Sequence, residues 1–286
     1  MSRPPFLALP DGVRATTVAT PRGPLAALAA DAAAGGADPP KAPVLLVPGY
    51  TGSKEDFIAV LAPIATAGHP VVALDLRGQF ESAGDDDPSW YDVKAFAEDV
   101  LAVLAPMDRP VHLVGHSFGG LVARAVALAD PAGLRSLTLM SSGPAAIPAP
   151  ADANIGLLAQ VLPVMDLESI WVAKRQIEAQ SETDPPRPEI EDWMHRRWVA
   201  NHPVSMLRIA QQLLTAADAT DELAALDLPV LVMYGERDDV WPPSLQAATA
   251  ERLGATCVAL PGLGHSPAAD DPDATVPPLL EFWASA

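Results

Sequence analysis

The sequence predicts an α/β protein with a mostly parallel central sheet flanked by helices. The first observation is a series of short apolar runs, such as residues 44–47 and 71–74, that show no polar alternation. Such runs are typical of strands buried on both faces, as in a parallel sheet. The second observation is that segments with helical spacing separate these runs. Alternating strand and helix predicts helices on both faces of the sheet.

The elements can be assigned in order along the chain. The opening residues predict an antiparallel hairpin, with strands at 13–20 and 25–30 joined by the turn Pro21-Arg22-Gly23-Pro24, and the Gly- and Pro-rich residues 32–43 predict a loop. The later strands are predicted at 44–47, 71–74, 111–114, 134–140, 230–233 and 256–260. The helices are predicted at 54–66, 91–104, 120–129, 244–253 and near 275–283.

Residues 144–217 interrupt this rhythm. They contain helical patterns and proline-rich joints but no good strand, and they hold Trp171, Trp193 and Trp198, half of the six tryptophans. We interpret this segment as a helical lid inserted between two core strands, with residues 1–143 and 218–286 forming the core. A chain of 286 residues is long enough for such an arrangement.

Composition excludes several classes of partner. The net charge of −18 repels phosphate backbones and anionic lipid, so we expect neither nucleic acid nor a membrane surface as partner. No stretch approaches the roughly 18 apolar residues of a membrane span, and the first ten residues lack a secretory signal pattern. Cys257, the single cysteine, can form no internal disulfide and is expected in the core. These features predict a cytoplasmic protein.

Ser117 is the candidate nucleophile. It lies in Gly115-His116-Ser117-Phe118-Gly119, which fits the G-x-S-x-G pattern between an apolar strand and a helix of small residues. In that context the serine occupies a tight, strained turn, and the flanking glycines let neighbouring backbone pack closely. The turn exposes Oγ and directs a helix N-terminus toward a developing oxyanion.

A serine hydroxyl needs a base, usually a histidine held by a carboxylate. His265, in a glycine-containing loop after the last predicted strand, is the candidate base. Asp238 follows the strand at 230–233 and is the candidate acid, with Asp239 as a competitor one position away. Functional groups in parallel sheets gather at the carboxyl ends of strands, where all three candidates lie.

The order Ser, Asp, His, with the elbow, a G-x-x-D turn from Gly235 and a G-x-G-H loop, resembles the α/β-hydrolase superfamily. The resemblance is strong over the core and weak over the lid. It implies that Asp238 rather than Asp239 is the acid, and that the backbone N–H groups of Tyr50 and Phe118 form the oxyanion hole. It also implies a structural role for Asp75-Leu76-Arg77-Gly78, which is similar to a D-x-R-G segment of these enzymes.

Two departures from the family pattern stand out. The His-Gly that commonly follows the third strand is Pro48-Gly49 here, which removes a bracing side chain but neither oxyanion donor. After Gly78 the usual small residues are replaced by Gln79-Phe80-Glu81-Ser82, so a bulky Phe80 is expected to shape the pocket. A serine at 117 argues against epoxide hydrolases and haloalkane dehalogenases, which use a carboxylate nucleophile.

The predicted function is a serine hydrolase that cleaves a carboxylic ester, thioester or lactone with an apolar acyl or aryl group. A carbon–carbon bond hydrolase, an acyltransferase and a non-catalytic ligand-binding member of the fold are the alternatives. No cofactor or metal is implied, and the partner is a small apolar ester-like molecule. Trp171, Trp193 and Trp198 are candidates for the pocket wall with Phe80, although the tryptophans could equally form the core of the lid.

Overall fold

A single eight-stranded sheet organises the chain. The computed structural model describes residues 1–33, 40–107, 109–179 and 185–286, so half of the predicted loop at 32–43 lies outside the described residues. The strands are β1 Val13–Val18, β2 Leu25–Ala30, β3 Val44–Val47, β4 Val71–Leu74, β5 Val111–His116, β6 Leu134–Met140, β7 Val230–Gly235 and β8 Thr256–Leu260. Their order is β1-β2-β4-β3-β5-β6-β7-β8, and every pair from β4 to β8 is parallel. The antiparallel pairs are β1 with β2 and β2 with β4.

Helices cover both faces of this sheet, as the sequence predicts. Those of the core are α1 Ile58–Thr66, α2 Val93–Leu104, α3 Phe118–Ala129, α9 Pro243–Leu253, α10 Pro267–Asp270 and α11 Pro272–Ser285. Alternate residues of β3 enter different clusters: Leu45 and Val47 pack with residues of α2 and α3, while Val44 and Leu46 pack with residues of α1 and α11. Burial on both faces explains why these strands are continuous apolar runs.

The edge strand β8 corrects one expectation. Cys257 is exposed rather than part of the core, and most residues of β8 are exposed or half-buried. A strand paired on one side only, at the margin of the helical layers, offers its side chains less cover than a central strand such as β5, in which every residue is buried.

The segment between β6 and β7 contains no strand among its described residues. Its helices are α4 Asp152–Val161, α5 Leu167–Glu178, α6 Pro188–Val199, α7 Pro203–Thr215 and α8 Thr220–Ala224. Arg124 of α3 contacts both ends of the segment 144–217, because its guanidinium donates to Pro144 O and, at 3.2 Å, to Ala217 O. Within the described ranges, no helix combines the length and apolar character needed to cross a membrane.

Candidate active site

The strand-to-helix turn at Ser117 has the strained geometry that the motif predicts. Ser117 has φ 55° and ψ −122°, between the end of β5 and the start of α3, a region that a residue with a Cβ rarely adopts. A Cβ on Gly115 or Gly119 would collide with backbone, at Gly119 in the first case and at Val47 in the second. These glycines therefore allow β3, β5 and α3 to approach closely enough to present the serine.

Two loops at the same edge of the sheet bring the other candidates to Ser117. Asp238 follows β7, and His265 follows β8 in the loop that precedes α10. The loops pack directly on each other: a Cβ on Gly235 would overlap the backbone of Leu263 and Gly264. Glycine at 235 thus lets the loop that carries His265, called here the histidine loop, lie over the end of β7.

The three side chains form one hydrogen-bonded chain. His265 Nε2 lies 3.0 Å from Ser117 Oγ, and His265 Nδ1 lies 2.9 Å from Asp238 Oδ1. Because the Asp238 carboxylate can only accept a hydrogen bond, the neutral imidazole carries its proton on Nδ1. This leaves Nε2 free to accept a hydrogen bond from the serine hydroxyl. The competitor Asp239 is exposed, and it lines the adjacent cavity.

Asp238 is buried but remains suited to the ionised form. Burial raises its pKa, yet the hydrogen bond and charge of His265 outweigh burial and hold the pKa below its ordinary value. Its Oδ1 also accepts from the Val240 N–H at 2.9 Å, and its Oδ2 accepts from the Gln246 amide at 2.9 Å. These partners fix the carboxylate in one orientation toward the imidazole.

His116, the residue before the serine, contacts the histidine loop in a way that the sequence does not reveal. Burial, together with neighbouring His265, lowers the pKa of His116 to about 4, so the ring is neutral near pH 7. Its Nε2 lies 2.7 Å from His265 O, and since a carbonyl can only accept, this nitrogen carries the proton and donates. The bond ties the histidine loop to the elbow.

The predicted oxyanion donors flank Ser117. Phe118 is the first residue of α3, so its N–H has no acceptor within the helix. On the other side, a Cβ built on Gly49 would lie 2.7 Å from Ser117 Cβ and 3.2 Å from Ser117 Oγ. The peptide that joins Gly49 to Tyr50 therefore passes directly beside the serine.

A cavity of about 500 Å³ opens at Ser117 and His265. One wall is apolar and is formed by Ile147, Ile155, Leu213 and Val240. The rest of the lining is more polar and includes residues 1–3, Thr51, Asp56, Ser266 and Asp270. Across the part of the chain that the structure describes, no three His, Cys, Asp or Glu side chains are grouped as metal ligands.

The four aromatic residues predicted for the pocket lie elsewhere in this structure. Trp171, Trp193 and Trp198 belong to a cluster formed mainly by α5 and α6, with Phe80 packed against it. None of the four is among the described residues that line the cavity. Their large rings pack with one another, as in the edge contact of Phe80 with Trp193 at 5.6 Å. This placement favours the alternative that the tryptophans form the insertion's own core.

Comparison with known proteins identifies the family. Residues 44–277 match the alpha/beta hydrolase family, and the chain belongs to it. A non-heme chloroperoxidase of Streptomyces lividans is 28% identical over 260 residues, which cover 85% of this chain and 92% of the relative. A pimeloyl-(acyl-carrier protein) methyl ester esterase of Aeromonas hydrophila is 29% identical over 233 residues, 78% of this chain and 88% of the relative. The structure of a thermophilic esterase from Thermogutta terrifontis shares the fold, with a TM-score of 0.73, 23% identity and coverage of 95% and 98% of the two chains.

Proposed function

We propose that this protein is a serine hydrolase that cleaves carboxylic esters, thioesters or lactones through an acyl-enzyme intermediate. The observation that carries the proposal is the hydrogen-bonded chain from Ser117 through His265 to Asp238, which opens into a cavity large enough for a small substrate. Its membership of the alpha/beta hydrolase family and its likeness to a methyl ester esterase support this reaction.

In the acylation step, His265 Nε2 takes the Ser117 proton as Oγ attacks the substrate carbonyl carbon. The carbonyl electron pair moves to oxygen, and the N–H groups of Tyr50 and Phe118 stabilise the oxyanion. The tetrahedral intermediate collapses, and His265 protonates the departing alcohol or thiol. Asp238 orients the imidazole and stabilises its cationic form.

Water completes the reaction. His265 removes a proton from a water molecule, which attacks the acyl carbon of the ester formed on Ser117. The second intermediate collapses, Ser117 Oγ recovers its proton from His265, and the free acid leaves. Every step uses groups of this chain and water alone.

The apolar wall of the cavity indicates the class of substrate. Ile155 of α4 and Leu213 of α7 come from the helical segment, and Val240 comes from the loop after β7 that carries Asp238. Burying a methylene against such a wall stabilises binding by about 0.8 kcal/mol. We therefore infer that the insertion at 144–217 serves as a lid and that the site takes apolar acyl or aryl groups.

Active-site labelling tests the proposal. A fluorophosphonate probe should modify one serine, Ser117, and Ser117→Ala should abolish both labelling and hydrolysis of p-nitrophenyl esters. Ser266→Ala is the matched control, because Ser266 also lines the cavity, and this variant should retain labelling. Stoichiometric labelling of another serine would exclude the proposed reaction. A protein that is labelled at Ser117 but hydrolyses no ester, thioester or lactone would also exclude it.

A further inference from the structure

A buried glutamine contacts the peptide that carries one of the proposed oxyanion donors. Gln79 Nε2 donates to Gly49 O at 2.9 Å, and the Gly52 N–H donates to the same oxygen at 3.1 Å. The Gly49 carbonyl and the Tyr50 N–H are two ends of one peptide group. A group that holds the carbonyl therefore also holds the N–H.

We propose that Gln79 is a positioning residue for the oxyanion hole, acting through the Gly49–Tyr50 peptide. This inference rests on the proposed function, because it needs the Tyr50 N–H to bind an oxyanion. It assigns to Gln79 the bracing that the family's histidine after the third strand would otherwise give, since Pro48 at that position has no side-chain donor.

The physical basis is the rigidity of the peptide unit. The six atoms lie close to a plane, and in the trans form the C=O and N–H point in opposite directions. Donors that fix the direction of the Gly49 C=O therefore also fix the Tyr50 N–H, which points the opposite way. Hydrogen bonds to a carbonyl also polarise the peptide, which strengthens the N–H as a donor. Both effects favour the charged transition state over the neutral substrate.

Gln79 is itself held in place. The turn that carries it is fixed by the buried ion pair of Arg77 Nε with Asp99 Oδ2 at 2.9 Å. Ser82 Oγ donates to Asp75 O at 2.9 Å, and the Ser82 N–H donates to Gln79 O at 2.8 Å. The Gln79 residue is only 2% exposed, so its side chain is ordered before substrate arrives.

The unpaired end of the amide argues against a role in packing alone. Gln79 Oε1 is buried, and no described protein group donates to it. Burying an unsatisfied polar atom costs on the order of 1–3 kcal/mol, which an apolar side chain of the same length would avoid. The feature that distinguishes glutamine from such a side chain here is the N–H donor to Gly49 O.

Two near-isosteric substitutions test the proposal: Gln79→Met removes the donor, and Gln79→Glu replaces it with an oxygen. Outright loss of an oxyanion donor costs about 10²–10³ in kcat. Since Gly52 still holds the carbonyl, we expect kcat for p-nitrophenyl butyrate to fall about 10- to 100-fold, with KM changed by less than about threefold. Affinity for a trifluoromethyl ketone, which forms a tetrahedral adduct on Ser117, should fall by a similar factor.

Thr275→Val is the structural control, because it removes another buried hydrogen bond to a backbone carbonyl, from Thr275 Oγ1 to Asp271 O at 2.8 Å in α11, and touches neither the turn of Gln79 nor the cavity lining. It should lower the melting temperature and leave kcat within about twofold of wild type. A Gln79→Met variant with wild-type kcat, or with lower kcat but unchanged trifluoromethyl ketone affinity, would overturn the assignment. A wild-type protein that neither reacts with fluorophosphonate nor cleaves any ester would instead overturn the proposed function on which it rests.

Discussion

Acid should destabilise the fold through His112, a buried histidine at the opposite end of β5 from Ser117. His112 is 2% exposed, and its ring stacks on that of Trp283 with a centroid distance of 5.2 Å. Its Nδ1 lies 2.7 Å from Ser136 Oγ. Burial, with smaller effects from His69 and Arg135, lowers the pKa of His112 from 6.5 to about 3. The folded protein therefore holds this ring neutral over a range in which the unfolded chain would protonate it.

The sign and size of the effect follow from proton linkage. Between the folded pKa of about 3 and the unfolded value of 6.5, the unfolded state binds more protons, so stability falls as pH falls through this window. Above the unfolded pKa the effect disappears. With these two values, His112 alone should remove about 2 kcal/mol from the free energy of unfolding between about pH 7 and pH 5. Burial also lowers the pKa of His69, which acts in the same direction.

Urea unfolding at several pH values measures this effect. His112→Gln removes the titrating ring. Between about pH 7 and pH 5, the free energy of unfolding of this variant should therefore fall by about 2 kcal/mol less than the free energy of unfolding of wild type. Ser136→Ala is the matched control, because it removes the hydrogen-bond partner and keeps the imidazole. Its pH dependence should follow that of wild type. Identical pH dependence in His112→Gln and wild type would refute the reasoning.

Three further predictions concern the site and the insertion. Asp238→Asn should lower kcat on the order of 10³–10⁴-fold because His265 loses the partner that fixes its tautomer, whereas the exposed Asp239→Asn should have little effect; reversed results would make Asp239 the acid. Arg197→Leu should lower the free energy of unfolding in urea by about 3–5 kcal/mol, because it leaves the buried Asp56 carboxylate without the guanidinium that pairs with it at 2.6 Å. A loss below about 1 kcal/mol would contradict this prediction. Trp198→Ala should lower the free energy of unfolding by about 3–5 kcal/mol and leave the ratio of kcat/KM for butyrate and acetate esters unchanged. An altered ratio would indicate that Trp198 contacts the substrate.

The fold could be predicted where burial dictates the sequence. The strands at 44–47, 71–74 and 134–140 agree with the structure at both ends, because their residues are mostly buried and therefore mostly apolar. The edge strand at 256–260 also agrees at both ends, although most of its residues are exposed or half-buried. The predicted strand at 111–114 instead continues to His116. Its parallel pairing with β6 includes Gly115 and His116, which belong to the turn motif and lack the apolar side chains that mark the rest of the strand. The short helix α8 carries too few residues for a periodic pattern.

The candidate site could be predicted only in part. Ser117, Asp238 and His265 each follow a strand within a recognisable short motif, and the structure places them within hydrogen-bonding distance. Gln79 and His116 act across 30 and 149 residues of sequence, on backbone carbonyls. A carbonyl has no side-chain signature, so nothing in the sequence indicates which one a buried amide or imidazole will reach. Such contacts appear only in the folded protein.

The turn that carries Gln79 also connects the Gly49–Tyr50 peptide with the helical segment at 144–217. On its other side the His202 N–H donates to Gly78 O at 2.8 Å, and Ser205 Oγ donates to Arg77 O at 3.2 Å. A Cβ on Gly78 would lie 2.7 Å from Ser205 Cβ, so α7 rests directly on the turn. The same helix forms part of the apolar cavity wall through Leu213. Because packed elements move together rather than deform, a substrate that shifts α7 also acts on the turn that orients the Gly49–Tyr50 peptide. Under the proposed function, we therefore expect substitutions in α7 that change acyl selectivity to change kcat as well.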